Sequence, residues 1–180
     1  MLDSTSGHQA RVPLAAGFTL IELMVTLVVA AIILGIAVPN FTGLVNGSRL
    51  TAQTNELVTG IQLARSEAIR LNRTVNFCGS TDGTSCAAAG DWNQWLVLRA
   101  ADNELLHSGL VNPATRVWAD ANTLAFRADG LARLADGSLA SSNVFVCMPV
   151  SRPAQNIRQL AVTGGTRTSV SSADGGGECQ

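Results

Sequence analysis

The chain has no lysine and no tyrosine, only two histidines, and aromatics at 4% of its 180 residues. Its formal net charge is −1. Nothing in that balance advertises nucleic acid or an anionic surface as a partner for the bulk of the molecule. The scarcity of aromatics argues against a stacking platform for single strands. All twelve basic residues are arginine, which reads as a genomic bias. Catalytic signatures are also missing. No serine sits in a GxSxG turn, and there is neither a P-loop nor a dinucleotide fingerprint. His8 lies in the first 17 residues, which leaves His107 as a lone histidine, a structural residue far more often than a general base. Four cysteines are present, but no CxxC pair or adjacent histidine suggests zinc. Asp82 and Asp91 have no calcium-loop spacing, and turn chemistry accounts for both. The sequence thus reads as a non-enzyme with no cofactor and no metal.

What it does have is one long apolar run. From Phe18 to Val38 the sequence is FTLIELMVTLVVAAIILGIAV, with a single carboxylate, Glu22. About 20 apolar residues at roughly 1.5 Å each cross a hydrocarbon core of about 30 Å, and helix is the open-chain geometry that satisfies the backbone there. A secretory signal would place its small residues after a shorter apolar core. Here Ala15, Ala16 and Gly17 come first, so a cut at that point leaves the helix on the product. Glu22 is costly inside a bilayer and by default marks function. Its plain reading is an interfacial acid favoured by the helix dipole. The sharper one pairs it with a cation, which the new α-amine of Phe18 would supply.

Gly17-Phe18-Thr19-Leu20-Ile21-Glu22-Leu23 resembles the class III signal of type IV pilins and type II secretion pseudopilins. The resemblance implies that a prepilin peptidase cuts between Gly17 and Phe18 and N-methylates Phe18. It also implies that Glu22 neutralises the Phe18 amine of a neighbouring subunit during assembly, and that Pro39 kinks the helix. The one basic residue before Gly17 is Arg11. With Arg11 retained inside, the positive-inside rule directs the rest of the chain out of the cytoplasm.

After Pro39, residues 40–47 are looser, and Gly43 and Gly47 are able to soften or break a helix. Leu50, Leu57, Ile61, Ala64, Ala68 and Leu71 then recur at three, four or seven and share one face. Glu56, Gln62, Arg65, Glu67 and Arg70 fall largely off it and read as solvated. One helix over 18–72 would be roughly 80 Å long; two helices broken at 43–47 are the alternative. The stretch Ala64-Arg65-Ser66-Glu67-Ala68-Ile69 resembles the signature of the GspH/FimT family of minor pilins and pseudopilins, with Asn72 and Val75 following in kind.

From Thr74 short β-like runs alternate with turns: 74–78, 95–99, 116–118, 123–127, 144–148 and 157–163. Asp129-Gly130 and Asp136-Gly137 flank a weak strand at 131–134, and 104–108 reads as strand or turn. The expected fold class is α+β: a type IV pilin-like long N-terminal helix packed on an antiparallel β-domain. The parts are a leader at 1–17, a membrane or filament-core helix at 18–39, an amphipathic half at 40–73 and a β-rich domain at 74–180. Trp92, Trp95 and Trp118 read as core rather than as a ligand cluster.

All four cysteines follow the apolar helix, where an oxidising compartment makes disulfides the default. Three pairings are open. Cys78–Cys86 would close a short loop, and Cys147–Cys179 would tie the tail to the last strands. Residues 163–180 are Gly/Ser-rich and would be disordered unless Cys179 anchors them. Some DNA-binding members of the family carry Gly-Arg-x-Arg near the C-terminus. The nearest match, Gly165-Thr166-Arg167-Thr168, has one arginine, so DNA contact through Arg158 and Arg167 is the less favoured reading. The resemblance implies a minor pilin that primes a type IV pilus, or else an H-type pseudopilin. Its partners would be prepilin peptidase, other minor pilins, the major pilin, the inner-membrane assembly platform and the inner membrane itself.

Overall fold

A computed structural model describes residues 17–87 and 90–179, with Pro39 described by its backbone alone. The leader expectation, with His8, Arg11, Ala15 and Ala16, lies outside the described residues apart from Gly17. The chain divides into two compact units, 1–39 and 40–180, taken here one at a time. Helix α1 has the bounds Leu20–Leu71.

In the first unit the helix starts on a capping pattern, Thr19-x-x-Glu22. The Glu22 amide donates to Thr19 Oγ1 at 3.3 Å, and the Leu23 amide donates to Thr19 O at 3.1 Å. The Thr19 hydroxyl thereby takes up a first-turn amide that has no acceptor within the helix, while its carbonyl accepts the first i→i−4 bond. Beyond it every large apolar side chain from Leu20 to Val38 is exposed. The segment is long and apolar enough to cross a membrane, with none of it buried.

In the second unit the helix runs unbroken through Gly43 and Gly47, so the alternative of a break there does not hold. Leu50, Leu57, Ile61, Ala64 and Ala68 are buried, and Leu71 packs at the edge of the core. Fully burying each of the larger ones contributes on the order of 1.5–3 kcal/mol. The helix stops at Asn72, whose φ of 51° is left-handed. The Asn72 amide reaches Ile69 O, and the Arg73 amide reaches Ala68 O, which is the paired closure of a Schellman end.

Nine strands follow: β1 Val75–Ser80, β2 Gln94–Arg99, β3 Leu105–Leu110, β4 Arg116–Ala119, β5 Thr123–Phe126, β6 Ala132–Arg133, β7 Ser142–Cys147, β8 Ile157–Thr163 and β9 Arg167–Ala173. They form two antiparallel sheets, ordered β3-β2-β1-β5-β6 and β4-β7-β8-β9. Pairing Phe77 with Val97 and Leu124 sets the register of the first sheet. With a two-residue repeat this sends Val75, Phe77, Trp95, Val97, Leu124 and Phe126 to one face, and all six join the helix stripe in the main core. The opposite face carries Cys78, Leu96 and Leu98, a second small cluster covered by Cys86. Val117, Val144, Val146, Leu160 and Val162 of the second sheet complete the main core.

Close approach of helix and sheet depends on small residues. A Cβ on Gly60 would lie 2.9 Å from Phe77 and 3.0 Å from Trp95, and one on Gly79 only 2.0 Å from Trp92. Trp92 and Trp95 flank Phe77 with ring centroids 6.1 and 6.0 Å away. Trp118 is not with them; it stacks on Phe145 at 5.3 Å.

Two elements were left open by the sequence reading. Of residues 104–108, read as strand or turn, 105–108 belong to β3 and Glu104 precedes it. Within the Gly/Ser-rich tail, Arg167–Ala173 is a strand paired with β8 over seven positions. Gly164 and Gly165, with φ of 58° and 69°, are its hairpin turn rather than the start of a linker.

Candidate processing, assembly and head-domain sites

The N-terminal site is built from few parts. Gly17 and Phe18 precede the first helical residue, Leu20. Nothing lies within 4 Å of where a Gly17 Cβ would stand, and Phe18 is 84% exposed. The Gly17–Phe18 bond is thus in open, non-helical chain, the form a peptidase cleft can take up. Glu22 sits in the first turn and forms no ion pair among the described residues. Its carboxylate is exposed, four residues from Phe18. Of Pro39 only its place within the bounds of α1 is described.

In the second unit Arg65 is the residue the sequence misplaced. It is half-buried rather than solvated. Its Nε donates to Gly130 O at 2.9 Å, and its Nη2 donates to Gly165 O at 3.0 Å and Thr166 O at 2.8 Å. The guanidinium lies 5.8 Å from the Phe126 ring centroid. One arginine therefore ties the helix to the turn after β5 and to the β8–β9 turn. Its planar fork suits several carbonyls at once, which a lysine ammonium could not match. Glu67 is also only 13% exposed; it accepts from Arg70 at 2.6 Å and faces His107 of β3 at 3.9 Å. The Arg70 hydrogen bond, outweighing desolvation, holds the Glu67 carboxyl below its ordinary range. The signature Ala64-Arg65-Ser66-Glu67-Ala68 is thus a docking strip: two alanines let the sheet close in while Arg65 and Glu67 bind its margins. Helical periodicity could not reveal this, because a side chain off the apolar face can still reach back along a sheet edge.

Cys78 and Cys86 are bonded with Cα atoms 5.6 Å apart, and Cys147 and Cys179 with Cα atoms 5.7 Å apart. The second bond works with Asn156, which is fully buried. Asn156 Nδ2 donates to Met148 O at 3.0 Å and Glu178 O at 3.1 Å, and its Oδ1 accepts from the Gly175 amide at 2.7 Å. Arg116 adds a contact to Cys179 O at 3.2 Å while pairing with Asp91 at 2.8 Å. The tail after β9 is therefore fixed to β7 and β4.

Asp82 receives Ser80 Oγ, Ser85 Oγ and the amides of Thr84 and Ser85. These donors, Ser85 first, hold its carboxyl far below the usual range, and they fill the oxygens a cation would need. Asp91 is engaged by Arg116 instead. Among the described residues no group of three or more His, Cys, Asp or Glu could hold a metal.

Arg158 and Arg167 are not brought together. Arg158 pairs with Ser172, whereas Arg167 pairs with Thr163, five positions further along β8. That odd offset puts them on opposite faces of the sheet, roughly 17 Å apart along the strand. Arg158 shares the inward face of Leu160 and Val162, and the Gly165-Thr166 carbonyls of the weak DNA-type motif are bound by Arg65.

A span-length apolar helix opening on Gly-Phe-Thr-x-x-Glu, with an α+β unit closed by two disulfides, defines a pilin-class subunit. Residues 53–166 match the family described as Type II transport protein GspH, and residues 14–38 match the prokaryotic N-terminal methylation motif. The chain belongs to the GspH family. Two crystal structures of the type IV minor pilin FimU of Pseudomonas aeruginosa PAO1 are similar in fold, each with 18% identity and a TM-score of 0.49. They cover 67% and 69% of this chain, and 91% and 89% of their own. No curated protein matches the sequence.

Proposed function

We infer that this subunit is cut by prepilin peptidase between Gly17 and Phe18, N-methylated on Phe18, and helps prime assembly of a type IV pilus. The observation that carries the reading is Glu22. It is a carboxylate with no ion pair among the described residues, in the first turn of an apolar run that ends at Val38, at a fixed offset from an open Gly-Phe bond. A buried or lipid-facing carboxylate is tolerable only when paired, and the freed Phe18 amine of a neighbour is the matching cation. In this reading the chain waits in the inner membrane with its β-rich unit in the periplasm. Its apolar helix then passes into the filament core, and the β-rich unit contacts other minor pilins and the major pilin. It is not an enzyme.

The test is a clean deletion complemented with wild type or Glu22→Ala, scored for surface pili, secreted enzymes and DNA uptake. The expected result is loss of pili with secretion intact. Glu22→Ala should still be cleaved yet stay out of sheared filaments; normal levels of the variant in those filaments would refute the pairing role. Loss of secretion alone would assign the chain to a pseudopilus. Disulfides tilt the choice toward the pilus only mildly, and DNA binding is disfavoured because Arg158 and Arg167 face opposite ways.

A further inference from the structure

We propose that the 150–155 loop end of the second unit is a contact surface for anionic phospholipid headgroups, with Arg152 as its main contact and Arg158 flanking it. The loop is held against the start of that unit's helix. Asn46 Nδ2 donates to Arg152 O at 3.0 Å, Arg152 Cβ stands 3.5 Å from where a Gly43 Cβ would be, and Pro153 stands 3.9 Å from that of Gly47. Arg152 therefore sits level with Gly43, and the next residue, Leu44, which lines the same groove as Pro153 and Arg158, is 70% exposed. Five residues separate Val38, the end of the apolar run, from Gly43, and five residues span at most about 18 Å in any conformation. The headgroup layer is itself several ångströms deep, roughly 5–8 Å a side. A tether this short allows the Arg152 loop to be brought to that layer. This step rests on the membrane anchoring proposed above.

The charges are free for the purpose. Arg70, Arg99, Arg116 and Arg133 are paired with carboxylates, and Arg65 is engaged by carbonyls. Arg49 and Arg152 are exposed and have no acidic partner among the described residues. Arg158 donates only to Gln155 O and Ile157 O and lines a groove with Leu44, Gly47, Thr51 and Pro153. The tail carboxylates Asp174 and Glu178 form no ion pair with any of the three. An exposed leucine beside unpaired guanidiniums suits an interface where acyl chains meet phosphates. Each contacting arginine should favour the anionic surface on the order of fivefold. The consequence is a β-rich unit held down on the bilayer until a neighbouring subunit displaces the lipid.

The experiment uses the mature full chain in nanodiscs of phosphatidylcholine alone or of phosphatidylcholine with phosphatidylglycerol at roughly 3:1, with amide exchange followed in residues 149–156. Exchange should slow several-fold in the anionic discs and recover in high salt. Arg152→Gln with Arg158→Gln should abolish the difference, and Arg167→Gln, on the other face, should keep it; unchanged exchange in β1 shows that the fold is intact. Equal exchange in the two lipids overturns the proposal, as does protection that survives the double change. Equal protection by inorganic phosphate over neutral discs would overturn the assignment to lipid. A chain that fails to enter the discs overturns the anchoring, and this surface with it.

Discussion

Replacing Arg65 with methionine tests the claim that the helix is clipped to the sheets by one guanidinium. The substitution keeps an unbranched apolar stem over Phe126 but removes three hydrogen bonds, to Gly130 O, Gly165 O and Thr166 O. The first two are partly buried and the third is exposed. A hydrogen bond to a charged donor is worth about 1.5–3 kcal/mol net where it is shielded and little where water competes. Two partly shielded bonds, counted at the low end, give about 3 kcal/mol. At about 3–5 °C per kcal/mol for a domain of this size, that is a fall in Tm of about 10 °C. The assay is thermal unfolding of the detergent-solubilised mature protein, followed in the β-sheet circular dichroism. Arg65→Lys should recover less than half of the loss, because one ammonium cannot serve three carbonyls with the same geometry. Arg49→Met changes an exposed arginine on the same helix that has no ion pair among the described residues, and should leave Tm nearly unchanged. A Tm for Arg65→Met within about 2 °C of wild type, well under the shift expected for even one shielded bond, would refute the reasoning.

Gly79→Ala forces a methyl to within 2.0 Å of the Trp92 ring, so overpacking should cost about 1–3 kcal/mol in denaturant titration. An unshifted midpoint would mean that Trp92 swings aside without cost. Removing Cys147–Cys179 as a double serine variant opens a bridge with a sequence separation of 32, and the chain-entropy relation puts the loss at roughly 3.5 kcal/mol. Amide protection in Arg167–Ala173 should fall with it, and full protection there would show that Asn156 alone holds the tail. Acid should destabilise the second unit. Glu67, Asp82, Asp102 and Asp136 are held below their ordinary values, by Arg70, Ser85, Arg99 and Ser138 respectively. Groups depressed by folding contribute stability above their unfolded pKa of about 4 and lose it as pH falls through the folded values. Tm should therefore be flat above about pH 5 and decline below about pH 4; a Tm that rises on acidification would contradict this.

Much of the fold was legible because its signals are local. The apolar run and the Leu50 to Ala68 stripe each lie within a few turns of one helix, where spacing alone sets the face. The Asp-Gly turns and alternating strands are equally local. Residues 167–173 escaped because the run RTSVSSA is almost wholly exposed and buries little of its own. Their strand exists by hairpin pairing with β8 and by the Cys147–Cys179 bond, which reaches 32 residues back along the chain. Arg65 escaped for a related reason: its partners are backbone carbonyls 65 to 101 residues away, and carbonyls leave no mark in a sequence. The three tryptophans read alike in the chain, yet only Trp92 and Trp95 share the core, since register sends Trp118 to the outer face with Phe145.

By itself the sequence determined the class of this protein: an apolar helix of membrane length with one carboxylate at its start, a Gly-Phe bond before it, and a β-rich unit with four cysteines. These follow from composition and from periods of two and 3.6 residues, which short stretches carry unaided. Only the tertiary structure decided which charges are spent and which are free. It committed Arg65, Arg99 and Arg116 to partners, turned Arg158 and Arg167 to opposite faces, and left Arg152 bare beside Gly43. Charge pairing depends on side-chain ends that meet across elements, and only the closed sheets on their helix determine which ends meet.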